Sequence, residues 1–190
     1  MSKPQPLFPV TLTATWLRDY TAVTDAGLKD WLLDPSSLTA RLKRHSHTFH
    51  VQLLGQTVEQ CQPHETFGDI VSGESILVRE VLLFCNEQPQ VFARSLLPLR
   101  SLTGEQQQLA HLGTQPLGQV LFNDPLLRRE AIEIACFKPH STVVQLAQHL
   151  ALETQAELWG RRSLFTINHK PLIVAEVFLP GAFAYQSTVQ

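Results

Sequence analysis

From Ile76 to Pro98 the chain reads ILVREVLLFCNEQPQVFARSLLP, two apolar runs on either side of the polar CNEQPQ, which is the pattern of two buried strands joined by a tight turn. SLFTINHKPLIVAEVFLP, from 163 to 180, predicts another hairpin. TFHVQLLGQTVEQCQ, from 48, predicts a third around Gly55-Gln56, because glycine at the first turn position suits a type II′ turn. These runs amount to about six strands, antiparallel because their connections are short. Helical spacing occurs elsewhere. Leu28, Trp31 and Leu32 follow Thr24 as N-cap, and DPSSL at 34–38 ends that helix and offers a new cap at Ser36 or Ser37. TGEQQQLAHLG at 103–113 places Leu109 and Leu112 on one face and stops at Gly113, a natural residue to follow a helix. STVVQLAQHLALETQAELW at 141–159, capped by Ser141, is the longest helix expected. Strands and helices segregated in this way predict the α+β class, a single antiparallel sheet of about six strands with helices over one face or end. The opposite face is either solvated or closed over a ligand.

Charges inside the apolar runs change this picture. Arg79 and Arg94 interrupt the two central strands, where a guanidinium is costly unless an anion meets it. A loop of Asn86 to Pro89 sets Arg79 opposite Leu96 and Arg94 opposite Val81, so that both arginines share a face. An odd loop length separates them. Glu176, within PLIVAEVFLP, reads either as a general acid or base raised by burial or as half of a structural ion pair with Arg79 or Arg94. Glu80 points to the face opposite Arg79 and is expected to be solvated or paired at the surface.

Composition narrows the class. The chain has 190 residues, 44% hydrophobic and only 17% charged, which suits one domain spanning 1–190 with a large core. A net charge of −2 gives no field to attract nucleic acid or an anionic membrane, so any anionic ligand has to be held by local cations. MSKPQPLFPVTLTATW lacks the layout of a signal peptide, and no apolar stretch reaches the ~18 residues of a membrane span, which predicts a cytoplasmic protein without stable membrane insertion. Cys61, Cys85 and Cys136 are widely spaced and read as reduced, mostly buried thiols. His45, His47 and His50 in HSHTFH lack a carboxylate at useful spacing and read as a wet strand edge, not a metal site. Arg161 and Arg162 in WGRRS, at a strand entrance, read as solvated. Nucleotide, serine-hydrolase and nucleic-acid motifs are absent.

WLLDPSSLTARL, LVREVLLF, FARSLLP, HLGTQPLG, IEI, WGRRS and KPLIVAEVFLP together resemble, in order and spacing, the chorismate pyruvate-lyase family, over roughly Leu28 to Tyr185. The resemblance implies a monomer whose antiparallel sheet holds a ligand cavity beneath helical flaps. It also implies a reaction without cofactor or metal: elimination of pyruvate from chorismate to leave 4-hydroxybenzoate, the first step of ubiquinone synthesis. By motif, Arg79 falls where the family binds a ligand carboxylate, and Glu176 where it contacts the ring hydroxyl. Leu38 in SSLT and Leu117 in QPLG fall on the flap residues that touch product, partly through backbone, and Arg94 matches another arginine of the pocket. On this reading Arg79 anchors the ring carboxylate, and Arg94 meets the enolpyruvyl carboxylate or the departing oxygen. Two departures stand out: a segment from about Cys136 to Leu158 is extra, and Leu38 replaces the usual Met.

Two other readings compete. Ligand-binding domains of some transcription regulators share a related fold, which allows a non-catalytic sensor of aromatic carboxylates. Alternatively Arg79, Arg94 and Glu176 neutralise one another in a structural core, a reading that predicts no response to such ligands.

Overall fold

The computed structural model describes residues 7–153 and 156–186. Its centre is one six-stranded sheet in which every neighbouring pair is antiparallel, so the fold is α+β. The strands are β1 (Phe49–Gln60), β2 (Ser75–Cys85), β3 (Gln88–Pro98), β4 (Leu127–Phe137), β5 (Leu158–Ile167) and β6 (Lys170–Phe178), in spatial order β1-β2-β3-β6-β5-β4.

The strand number agrees with expectation, but the membership differs. The stretch expected as a hairpin around Gly55-Gln56 is the single strand β1, whose register against β2 slips between Leu53 and Gly55. A Cβ on Gly55 would lie 2.2 Å from the ring of Phe8, so the glycine admits the N-terminal segment against the strand and makes no turn. β4 occupies a stretch between the two later expected helices for which no element was predicted, its apolar residues being diluted by Arg128, Arg129, Glu130 and Glu133.

The two hairpins that do form turn through Asn86-Glu87 (φ 50° and 61°) and Asn168-His169 (φ 49° and 64°). Positive φ at both central residues matches the twist of the flanking strands. The central turn is thus shorter than the Asn86–Pro89 loop expected, and a bulge lies between Leu83, opposite Val91, and Phe84, opposite Pro89. As a result Arg79 faces Ser95, and Arg94 faces Glu80. One residue of slip carries Arg94 to the other side of the sheet.

Both faces are covered. Over the front lie α1 (Ala26–Leu33), α2 (Leu38–Arg44), a 3-10 helix at Gly104–His111 and α3 (Leu117–Phe122), packed on strand residues such as Val81, Ala93, Phe165 and Val174. Asp25, not Thr24, caps α1 by accepting from Leu28 N at 2.7 Å, and Ser37 caps α2. Gly113 follows the 3-10 helix with φ 57°, as its sequence position predicts. Over the back lie the segment from Leu7 to Trp16, the excursion between β1 and β2, and α4 (Thr142–His149). The helix expected over 141–159 is therefore only eight residues long, equal to α1: the chain leaves it at Ala151 (φ 55°), and Leu158 and Trp159 already belong to β5. Residues 154–155 of that expected helix lie outside the described residues. Among the described residues no helix is long and apolar enough to cross a membrane.

Candidate active site

Between the front of the sheet and its helical cover lies a partly open cavity. The sheet supplies Arg79, Glu176 and Arg129 to its lining. Leu38 and Leu117 close it from above, each as the first residue of its helix, so that their amides have no acceptor within the helix. Of the five residues singled out in the sequence, the fold brings these two leucines, Arg79 and Glu176 together and sends Arg94 elsewhere.

Arg79 is only 2% exposed. Its Nη2 donates to the carbonyls of Gly113 (2.9 Å) and Gln115 (3.0 Å), just before α3, while its Nε is buried without a partner. Among the described residues no carboxylate pairs with it, and burial pushes the guanidinium down to about 10. A cation in this position lacks an anion, and a carboxylate entering the cavity would supply one.

Glu176 is paired with neither Arg79 nor Arg94. Its Oε2 accepts from Arg161 Nε at 2.8 Å, across the β5–β6 register that sets the two residues opposite each other. Arg161 is fully buried, against the expectation of a solvated residue, because β5 begins at Leu158 and runs between two other strands. Its Nη1 donates to the carbonyls of Trp31 (3.4 Å), Leu32 (3.2 Å) and Asp34 (2.8 Å), satisfying the C-terminal end of α1. The Glu176 side chain remains 15% exposed, toward the cavity it lines.

Sequence reasoning missed Arg129. It stands on β4 opposite Phe165, with its guanidinium carbon 4.8 Å from that ring's centroid and 5.7 Å from that of Phe122. Nη1 donates to Asp34 O at 3.1 Å, and Nε, like that of Arg79, is buried and unpartnered. Burial and the charge of Arg161 push this guanidinium down to about 10, against the opposing pull of Glu176 and Asp34.

Arg94 behaves in the opposite way. On the back of the sheet its Nη1 donates to Glu80 at 2.7 Å, and its Nε and Nη2 donate to Glu65 at 3.1 and 2.6 Å. Burial alone would lower it, but Glu65 and Glu80 outweigh burial and raise its pKa. Glu80, expected near solvent, is fully buried, because the N-terminal segment folds over it and Val10 N and Thr11 N donate to its carboxylate at 2.7 and 2.8 Å. Arg162, also expected to be solvated, is buried on this face with Glu133 at 2.7 Å and the ring of Phe67 4.4 Å away.

The model of the family described as chorismate lyase matches residues 10–189. The chain belongs to that family. A relative from Psychromonas ingrahamii, named "Probable chorismate pyruvate-lyase", is 44% identical over 179 residues, 93% of this chain and 96% of its own. One of the same name from Photobacterium profundum is 38% identical over all of this chain and 99% of its own. Among solved structures, a GntR-family transcriptional regulator from Bacillus cereus aligns with a TM-score of 0.53 at 12% identity, covering 75% of this chain and 99% of that one. The effector domain of PhnF from Mycobacterium smegmatis aligns with a TM-score of 0.54 at 11% identity, over 76% and 88%. At such identities the likeness concerns fold alone. Within the chorismate lyase family, then, this chain carries an unneutralised arginine in its cavity and a neutralised one on the reverse of the same sheet.

Proposed function

We propose that the protein is a chorismate pyruvate-lyase, converting chorismate to 4-hydroxybenzoate and pyruvate, and that the front cavity is its active site. The observation that carries this reading is Arg79: a buried guanidinium that lines a cavity and, among the described residues, has no carboxylate of its own. Its planar fork can hold the ring carboxylate with orientation as well as charge. The ring hydroxyl, para to that carboxylate, then meets Glu176, whose position is fixed by Arg161. Amides at the starts of α2 and α3 add donors around the ligand.

The reaction breaks the bond between the ring carbon and the enolpyruvyl oxygen and removes the hydrogen from the neighbouring carbon that bears the hydroxyl. The ring becomes aromatic, and the released enolpyruvate takes up a proton to become pyruvate. No redox partner enters this balance. Rate acceleration can come from holding the reacting bonds in alignment and from stabilising charge on the leaving oxygen, both favoured by a site from which the flaps exclude water. The proposal extends to a monomeric cytoplasmic enzyme that needs neither cofactor nor metal and supplies 4-hydroxybenzoate to ubiquinone synthesis.

The test is to incubate the purified, metal-stripped protein with chorismate and to measure pyruvate and 4-hydroxybenzoate. Equimolar appearance of the two is expected. A second reading, a non-catalytic sensor of aromatic carboxylates, draws on the fold likeness to transcription regulators. Tight 4-hydroxybenzoate binding without turnover would favour it.

A further inference from the structure

Charge in the cavity leaves one feature of the lyase reading unassigned. Chorismate is a dianion, with one carboxylate on the ring and another on the enolpyruvyl group that departs. By resemblance Arg94 was expected to meet this second carboxylate or the departing oxygen, but the bulge before Phe84 removes it to the back of the sheet, where Glu65 and Glu80 already neutralise it. Around the cavity, among the described residues, the sheet places three guanidiniums, on Arg79, Arg129 and Arg161, against the single carboxylate of Glu176; Lys170, at the far end of β6, is held instead by Thr103 O and Gln106. Arg161 is taken by that carboxylate and by the end of α1. Two positive charges remain, matching in number the two carboxylates of the substrate.

Resting on the lyase reading, and refining it, we propose that Arg129 binds the enolpyruvyl carboxylate of chorismate, the anion absent from 4-hydroxybenzoate. Three observations carry this. Arg129 lines the same cavity as Arg79, and its Nε is buried with no hydrogen-bond partner, a donor that a second carboxylate would satisfy. Its guanidinium is set against the faces of Phe165 and Phe122, which limits the directions it can take. Its place in the cavity also fits the substrate. The enolpyruvyl oxygen is attached to the ring carbon next to the one bearing the hydroxyl, so with the hydroxyl at Glu176 the side chain lies at that end. Arg129 senses the charges of Glu176 and Arg161, and it shares with Arg161 the carbonyl of Asp34.

The arrangement has a consequence for turnover. When the bond breaks, negative charge grows on the enolpyruvate fragment, and a cation at its carboxylate stabilises the fragment as it leaves. Afterwards 4-hydroxybenzoate retains Arg79 but has no group for Arg129, so the two arginines divide the substrate between what is kept and what departs.

The test compares two stable ligands, 4-hydroxybenzoate and 3-(carboxymethoxy)-4-hydroxybenzoate, which differ only in an arm that carries the second carboxylate. Binding of both is measured by calorimetry in the wild-type protein, in Arg129→Gln, which keeps a donor for the Asp34 carbonyl, and in Arg129→Lys. Expected are tighter wild-type binding of the dicarboxylate, a loss of about 30-fold or more for it in Arg129→Gln, and a change below about threefold for 4-hydroxybenzoate. Arg129→Lys should restore part of the loss. With chorismate, kcat/KM of Arg129→Gln should fall about 10²-fold. Equal losses for both ligands would make Arg129 a structural residue of the α1–α2 junction and overturn the proposal, as would wild-type preference for the monocarboxylate. Because the ligand comparison needs no turnover, it stands or falls separately from the lyase activity.

Discussion

Arg79 and Arg94 sit on neighbouring strands, are equally hidden from water and lie on opposite faces of one sheet. On the back, Arg94 meets Glu65 and Glu80, and the backbone of Val10 and Thr11 completes the hydrogen bonding of Glu80. On the front, among the described residues, Arg79 finds only two carbonyl oxygens, and its Nε finds nothing. The same side chain is thus raised in pKa on one face and lowered to about 10 on the other. Burial is the largest influence on both, and the counter-ions decide the sign. The comparison teaches that burial of a charge does not by itself mark a functional site. A buried charge whose balance must come from outside the chain does so, provided that it lines a cavity.

The largest contrast should appear on replacing each arginine. Arg79→Ala removes a cation that no internal carboxylate needs, so it should leave the melting temperature near that of the wild type while lowering kcat/KM for chorismate about 10³-fold, or about 4 kcal/mol. Thermal melts and initial-rate assays on the same preparation check both halves. A melting temperature that collapses together with activity would erase the distinction between the faces.

Arg94→Met should do the reverse. It strands Glu65 and Glu80 in a buried place, at a cost of about 3–5 kcal/mol in unfolding free energy. Denaturant titration measures that loss. The protein that remains folded should turn over chorismate within about threefold of the wild-type rate, because nothing on the front is disturbed.

How much of this was legible in the sequence depends on periodicity and on where it breaks. The mid-strand charges Arg79 and Glu176 stood out because apolar residues surround them on both sides, and the asparagine turns mark both hairpins. The side on which Arg94 lies was not legible. It turns on the bulge next to Phe84, and a bulge has no reliable residue signature, yet one extra residue inverts the face of everything beyond it. Arg129 was hidden for a related reason. Between Arg128 and Glu130 it looks like part of a solvated charge run, and the register of β4 slips between Arg129 and Ala131. Allowing one bulge there aligns Leu127 and Arg129 with Ile132 and Ile134, opposite Ile167, Phe165, Ser163 and Arg161, and that broken alternation is the signal that could have found it. The burial of Glu80 and Arg162 depended on the N-terminal segment and the excursion after β1 covering the back, long-range packing that no local pattern records.

The smallest effect is the most specific. Arg79 is a base whose folded pKa, about 10, lies below its ordinary value, so between those two limits the unfolded chain binds more protons than the folded one and stability rises with pH. Below about pH 10 the guanidinium is charged, the cost of burying it is fully present, and a carboxylate ligand finds its partner ready. Above that, binding a carboxylate requires the site to take up a proton first. Benzoate, whose own charge does not change in this range, should therefore bind about tenfold more weakly at pH 11 than at pH 9. Circular dichroism would confirm that the protein is still folded at the higher pH. In Arg94→Met the dependence should persist, since the paired arginine on the back stays out of the titration, whereas in Arg79→Ala it should shrink to what Arg129, also lowered to about 10, contributes to the residual affinity. A wild-type affinity that is level across this range would mean that the front guanidinium keeps its proton as firmly as the back one, and the two faces would then differ in geometry alone.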